Sequence, residues 1–164
     1  IKACFDMGEV KTGALIVIEQ EIRLDEYVRT GINVDALLTS QLLINIFEHN
    51  TPLHDGAVIV RGNRIVAATC YLPLSDNMEL SKQLGTRHRA GVGISEVTDS
   101  VTIIVSEETG QVSVAQGGKL TRSVNSAKLR EILVRAQNKQ VVDNSKLRHL
   151  LKGRVKHEEE KNNR

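Results

Sequence analysis

Aromatic side chains are nearly missing from this chain: 2% of its residues are Phe, Tyr or Trp, and tryptophan is absent. A core must therefore be assembled from Ile, Leu, Val and Ala, and any exposed aromatic stands out. Proline is almost as scarce; Pro52 and Pro73 each close off a run with regular periodicity. Cysteine occurs twice, as Cys4 and Cys70, with no C-x-x-C spacing, the usage expected of a reduced, intracellular protein. No run of about 18 apolar residues exists to cross a membrane, and neither a signal-peptide pattern nor an internal repeat is present. Charge of one sign is not in excess either. Lys and Arg number 22 against 20 Asp and Glu, for a net charge of +2. That balance argues against a nucleic-acid-coating surface while leaving room for a local basic pocket. The chain begins at Ile1 rather than Met, which leaves room for a preceding segment, a membrane anchor included.

What is present suits one globular domain with a real core: 164 residues, 40% of them hydrophobic. Residues 1–10 read as the end of a helix. Gly13 to Ile18 (GALIVI) reads as a buried strand, and Val34 to Leu38 as a short one. Ser40 is a good N-cap for a helix over 40–48, in which Leu42, Leu43, Ile46 and Phe47 share a face. Ala57 to Val60 and Ile65 to Leu72 flank Gly62-Asn63 as a hairpin. Val101 to Val105, Val112 to Ala115 and a short strand at Leu120 follow, with Gly117-Gly118 as a tight turn. From Asn125 the spacing of Leu129, Ile132, Leu133 and Ala136 is helical. Ser145 can cap a last helix carrying Leu147, Leu150 and Leu151, and residues 154–164 form a charged tail. The expected fold is mixed α/β (α+β): a central, largely antiparallel twisted sheet of about six strands, flanked by four or five helices. A catalytic domain over 1–140 and a C-terminal helix with a flexible tail over 141–164 are expected.

Two polar clusters interrupt this pattern. His54-Asp55-Gly56 places an imidazole and a carboxylate directly before a core strand. A turn explains Asp-Gly; so does a site, because an unpaired buried charge costs several kcal/mol. Gly85 to Glu96 (GTRHRAGVGISE) is the second cluster. At about 100° per residue, Ala90, Gly93, Ile94 and Val97 form one stripe toward the core. Thr86 and Arg87 lie at the N-terminal end of that stripe, Arg89 at its flank, and His88 points roughly the opposite way. A helix start with a hydroxyl and a guanidinium attracts anions; a solvated basic helix start is the plainer alternative. Gly91 and Gly93 each cost about 1 kcal/mol in a helix relative to Ala, which close approach by a strand or ligand would compensate. No P-loop, Rossmann, H-E-x-x-H or G-x-S-x-G pattern occurs, and Cys70, inside an apolar strand, reads as core.

The segments LLINIF, NTPLHDGAVI, CYLPLS, LGTRHRAGVGISEVTDS and TIIVSEETG, in order over roughly residues 10–135, resemble the diadenylate cyclase (DAC) domain of the membrane-associated CdaA type. The DGA triplet at Asp55 to Ala57 and RHR at Arg87 to Arg89 carry the likeness. Gly91, the Gln20 to Arg23 stretch and the Arg61 to Arg64 turn depart from the pattern. The resemblance implies condensation of two ATP into cyclic di-AMP with release of two pyrophosphates. It implies Asp55, Gly56, Arg87 and Arg89 as catalytic residues. It further implies nucleotide contacts from Tyr71, Leu72, Gly85, Thr86, Arg87, His88 and Ser106, and a divalent cation (Mn²⁺ or Mg²⁺, with Co²⁺ as a further option) held by His54, Asp55 and Glu108. It also implies a homodimer with one ATP per subunit, no nucleic-acid partner, regulatory protein partners by family habit, and a place on the cytosolic face of the bacterial membrane through an upstream segment. A non-catalytic nucleotide sensor and a metal-dependent phosphate-ester hydrolase are the alternatives.

Overall fold

A computed structural model describes residues 1–81 and 84–137. The chain divides into two compact units, Ile1–Arg130 and Glu131–Arg164. In the first, α1 (Lys2–Glu9), β1 (Ala14–Ile18), α2 (Asp25–Val28), β2 (Ile32–Leu37), α3 (Ser40–Phe47), β3 (Ala57–Arg61) and β4 (Arg64–Cys70) precede the clusters' second half. Then come α4 (Thr86–Val97), β5 (Val101–Val105), β6 (Val112–Gln116) and β7 (Lys119–Thr121). A fifth helix, α5, starts at 126 and is described to 137; Asn125 caps it by accepting from the Lys128 N–H. The expected helix at Ser145 and the charged tail lie outside the described residues.

The strands form one seven-stranded sheet in the order β2-β4-β3-β1-β5-β6-β7. The β1–β3 pair is parallel; the others are antiparallel. The expected mixed, largely antiparallel sheet is therefore present, with seven strands rather than about six because the three residues at Leu120 pair fully with β6. Ala14 to Val17 are buried without alternation, as a central strand covered on both faces requires. Packed against the sheet, α4 brings Ala90, Val92 and Ile94 onto Leu15, Val17, Ile59 and Ile104. At roughly 1.5–3 kcal/mol for each fully buried Val, Leu or Ile, these aliphatics replace the missing aromatics.

Two local expectations are corrected, and a third is resolved. The N-cap of α3 is Thr39, whose hydroxyl accepts the Leu42 N–H at 3.1 Å; Ser40 is already helical and its hydroxyl turns to Gln41 instead. Val97 does not belong to the buried stripe of α4 but is 59% exposed, while Ala90 through Ser95 are all buried. The helix is enclosed around its middle because β5 lies beneath Gly91 and the 73–75 segment lies over Gly93. Those two backbones and side chains, not a ligand, are what the helical glycines make room for.

The segments that depart from the family pattern form a polar knot at the far end of the strands. Glu19, only 3% exposed in its side chain, accepts two bonds from the Arg61 guanidinium at 2.5 and 2.8 Å and one from the Leu24 N–H. Asp25 joins through Arg61 and Arg23, whose hydrogen bonds hold its carboxyl below the usual range. A buried carboxylate with this many donors is satisfied rather than functional.

Candidate active site

Strand polarity gathers the two clusters. Because β1 and β3 are parallel, Gly13 and Gly56, which precede them, lie at the same end of the sheet. Because β5 and β4 run the other way, Ser106 and Tyr71, which follow them, end there too. The N-terminus of α4 completes that end. Gly85 is its N-cap, with no side-chain cap, so the first N–H groups are left for another acceptor.

Two clefts open at this end, and both are bordered by Thr86 and Arg87. The first is lined by Asp55, Gly56, Tyr71, Leu72 and Leu74, with Leu15, Cys70 and Ala90 at its apolar side. The second is lined by Gly85, His88, Ser106, Glu107, Glu108 and Arg122, among others. Arg87 is thus the wall between an apolar, carboxylate-edged cleft and a polar one.

Gly56 has φ +92°, and a Cβ there would meet the Thr69 backbone at 2.8–2.9 Å. Opposite it, Thr69 itself has φ +56°, a strained value for a β-branched residue. It is the extra residue of a bulge, between the Ala57–Cys70 and Ile59–Ala67 pairs. The bulge turns the chain outward so that Tyr71 follows, 74% exposed, beside the first cleft. Asp55 is exposed, and its Oδ1 accepts the Gly56 N–H at 3.0 Å, which leaves Oδ2 for a ligand. His54 donates from Nδ1 to the Thr51 carbonyl at 2.6 Å, an arrangement that fixes the tautomer with Nε2 as an acceptor.

Arg87 is held by Glu107, with Nη1 to Oε2 at 2.5 Å. Its Nε is buried with no hydrogen-bond partner among the described residues, a donor waiting for an acceptor. Gly13 provides the space: a Cβ there would lie 2.8 Å from Nη1 and 3.0 Å from Glu107 Oε2. His88 lines the second cleft, although the wheel turns it away from Arg87; the loop after β5 and the residue after β7 wrap around the helix start to meet it. Burial, followed by the charge of Arg122, lowers its pKa below the ordinary histidine value, against an opposing pull from Glu108. It is therefore neutral at pH 7. Arg89 borders neither cleft; its carbonyl accepts the Ser75 N–H at 3.0 Å. His54, Asp55 and Glu108 are not gathered at one point, and among the described residues no three His, Cys, Asp or Glu side chains converge to hold a metal ion. Cys70 is buried with its thiol pushed up to about 11, inert as expected.

Gly13, Glu107 and Arg122 escape a reading of the sequence. A glycine before an apolar run looks like an ordinary strand start, and adjacent carboxylates in a hairpin look solvated. Only the cross-strand geometry shows what they face.

Fold and clefts together define a mixed α/β domain whose two clefts share the Arg87 wall, with the Asp55 carboxylate bordering the first of them. The chain matches, over residues 1–120, the family described as DAC, DisA bacterial checkpoint controller nucleotide-binding, and it belongs to that family. It is 57% identical over 129 residues to a diadenylate cyclase of Listeria monocytogenes, covering 79% of this chain and 47% of the relative. It is 54% identical over 153 residues to the cyclic di-AMP synthase CdaA of Bacillus subtilis, covering 93% and 56%. The chain spans about half the length of these curated relatives. The crystal structure of DacA from Staphylococcus aureus, a double mutant, superposes with a TM-score of 0.81 at 52% identity, over 82% of this chain and 90% of that one. A hypothetical membrane spanning protein from Bacillus cereus superposes with a TM-score of 0.73 at 44% identity, over 76% of this chain and 61% of that one.

Proposed function

We propose that this chain is the catalytic domain of a diadenylate cyclase, condensing two ATP into cyclic di-AMP. The observation that carries the reading is the single guanidinium of Arg87 standing between two clefts of opposite character. Adenosine suits the first, where Tyr71 offers a flat face and Leu72 an apolar edge. The triphosphate suits the second, with the open N–H groups of α4, Thr86, His88 and Ser106. The α-phosphate then falls at Arg87, whose unpartnered Nε is the donor for it. Asp55 accepts the hydrogen bond of a ribose 3′-hydroxyl and orients its oxygen. That oxygen bonds to the α-phosphorus of the other ATP while the bond to pyrophosphate breaks; the hydroxyl proton leaves through Asp55. Repeating the step with the roles exchanged closes the ring.

The donors on this chain fit a divalent cation: an imidazole with a fixed acceptor nitrogen at His54 and carboxylates at Asp55 and Glu108, with Mn²⁺, Mg²⁺ and Co²⁺ all compatible. When bound, such a cation would neutralise part of the triphosphate charge. Because no three of these groups converge among the described residues, phosphate oxygens and a second subunit are proposed to complete the set. The same need supports a face-to-face homodimer, each subunit contributing one ATP. Among the described residues no helix is long and apolar enough to cross a membrane. We place the domain on the cytosolic face of the bacterial membrane through a segment outside this chain, as the likeness to a protein titled membrane spanning suggests. Arg89, outside both clefts, is proposed to act only across that dimer.

Incubation with ATP and Mn²⁺ followed by chromatography is expected to yield cyclic di-AMP and pyrophosphate. ADP or AMP alone would establish a hydrolase instead, and bound but unchanged ATP a sensor. Arg87→Ala is expected to weaken ATP binding about tenfold or more, the loss of a charge-assisted hydrogen bond. Gly13→Ala should approach the same loss, because its methyl group displaces the guanidinium. Calorimetric titration checks both; unchanged ATP affinity in Arg87→Ala would refute its phosphate role.

A further inference from the structure

The second cleft contains one group that the reading above does not use. Arg122 immediately follows β7 and borders the cleft opposite the start of α4. Its backbone is held from both sides. Thr121 pairs with Val114, and the Val124 N–H donates to the Val112 carbonyl at 2.8 Å. Between them Ser123 turns the corner at φ +53° and donates to Gln111 Oε1 at 2.8 Å. The side chain is exposed, and no hydrogen bond or ion pair to another described residue holds it.

The charges in this cleft show what is missing. Arg87 and Glu107 neutralise each other across their ion pair. His88 and Arg122 line this cleft together, so Arg122 brings a guanidinium to the same space as the start of α4. Glu108 is committed to a cation in the proposed site. A triphosphate that loses pyrophosphate must place growing negative charge on the β- and γ-phosphate oxygens, and without Arg122 the cleft offers them no unpaired protein cation among the described residues.

We infer that Arg122 binds the β,γ-phosphates of ATP and holds the departing pyrophosphate. This rests on the cyclase reading for the identity of the leaving group. Chemically, the bond between the α-phosphorus and the bridging oxygen breaks, the electron pair stays on that oxygen, and the guanidinium N–H groups donate to the pyrophosphate oxygens as the charge develops. Arg122 forms no covalent bond and moves no proton.

The test is a set of titrations with ATP, inorganic pyrophosphate and AMP, each with Mn²⁺, on the unaltered chain, Arg122→Gln and Arg122→Lys, alongside cyclic di-AMP production. Arg122→Gln is expected to weaken ATP and pyrophosphate about tenfold while leaving AMP within about twofold, because AMP does not reach this cleft. Arg122→Lys should recover part of the loss, since it keeps the charge without the fork. Unchanged ATP and pyrophosphate affinities in Arg122→Gln overturn the assignment, as does an equal loss for AMP. The cyclase reading fails separately: an unaltered chain that binds pyrophosphate through Arg122 yet makes no cyclic di-AMP would overturn that reading alone.

Discussion

Asp55→Asn is expected to cut cyclic di-AMP formation by roughly 10²–10⁴, the range for losing a general acid–base group, while the melting temperature stays within about 1 °C. The substitution is nearly isosteric. The asparagine carbonyl oxygen can still accept the Gly56 N–H now bonded to Oδ1, so the turn with φ +92° at Gly56 keeps its support. What changes is the other oxygen. An ionised carboxylate only accepts hydrogen bonds, whereas the amide NH₂ only donates, so it repels the hydroxyl proton that the carboxylate would orient and receive. Asp55 is exposed, so removing its charge leaves no buried group unpaired and should cost little stability. Product chromatography and a thermal melt on the same preparation decide the matter, and a fully active Asp55→Asn protein would sink the assignment.

Gly93→Ala should produce the largest loss of stability. A methyl group there collides with the Pro73 carbonyl oxygen and stands 2.8 Å from the Ser75 nitrogen. These are backbone atoms with nowhere to turn. Ser75 is 3% exposed, its N–H donates to the Arg89 carbonyl, and its hydroxyl donates to Glu96 at 2.6 Å. Forcing them apart costs about 1–3 kcal/mol or more, about 2–10 °C in melting temperature for a chain of this size. Activity should fall with it, because α4 carries Thr86 and Arg87. Gly91→Ala is the control. Its methyl group meets only side-chain atoms, 2.8 Å from Cδ1 and 2.9 Å from Cγ1 of Ile104. A rotamer change there is offset by about 1 kcal/mol of helix propensity, so the net change should be small. If denaturant titration finds Gly93→Ala as stable as Gly91→Ala, the packing argument is wrong.

Much of this was legible in the chain. Apolar runs marked β1, β3, β4, β5 and β6, Gly62-Asn63 marked its hairpin, and Leu42, Leu43, Ile46 and Phe47 marked α3, because these signals are local; β2, expected over Val34 to Leu38, runs instead over Ile32–Leu37 with only two of its residues half-buried. Both polar clusters stood out for the same reason: each breaks a hydrophobic pattern. Strand neighbours were not legible. Nothing in GALIVI says that it lies between β3 and β5, and so nothing says that Gly13 faces Arg87 and Glu107. Val97 was misplaced because a helical wheel assumes one buried face, whereas α4 is enclosed through its middle. The Thr69 bulge left no trace, since a β-branched residue is the last place to expect a positive φ. Asp55 and Glu108 border different clefts and His54 borders neither, an arrangement that a ligand set written along a sequence cannot convey.

The polarity of the three central strands also sets when the site can exist. Ala14 pairs with Val105, and Ile16 pairs with Val58, contacts between segments far apart in the chain that close late in folding. No span shorter than Leu15 to Arg122 contains both clefts. The second cleft can therefore form only once β5 has docked against β1, and the proposed triphosphate binding waits for that step. From then on a bound nucleotide acts as a clasp, because any affinity for the folded site is added to the stability of that long-range pairing.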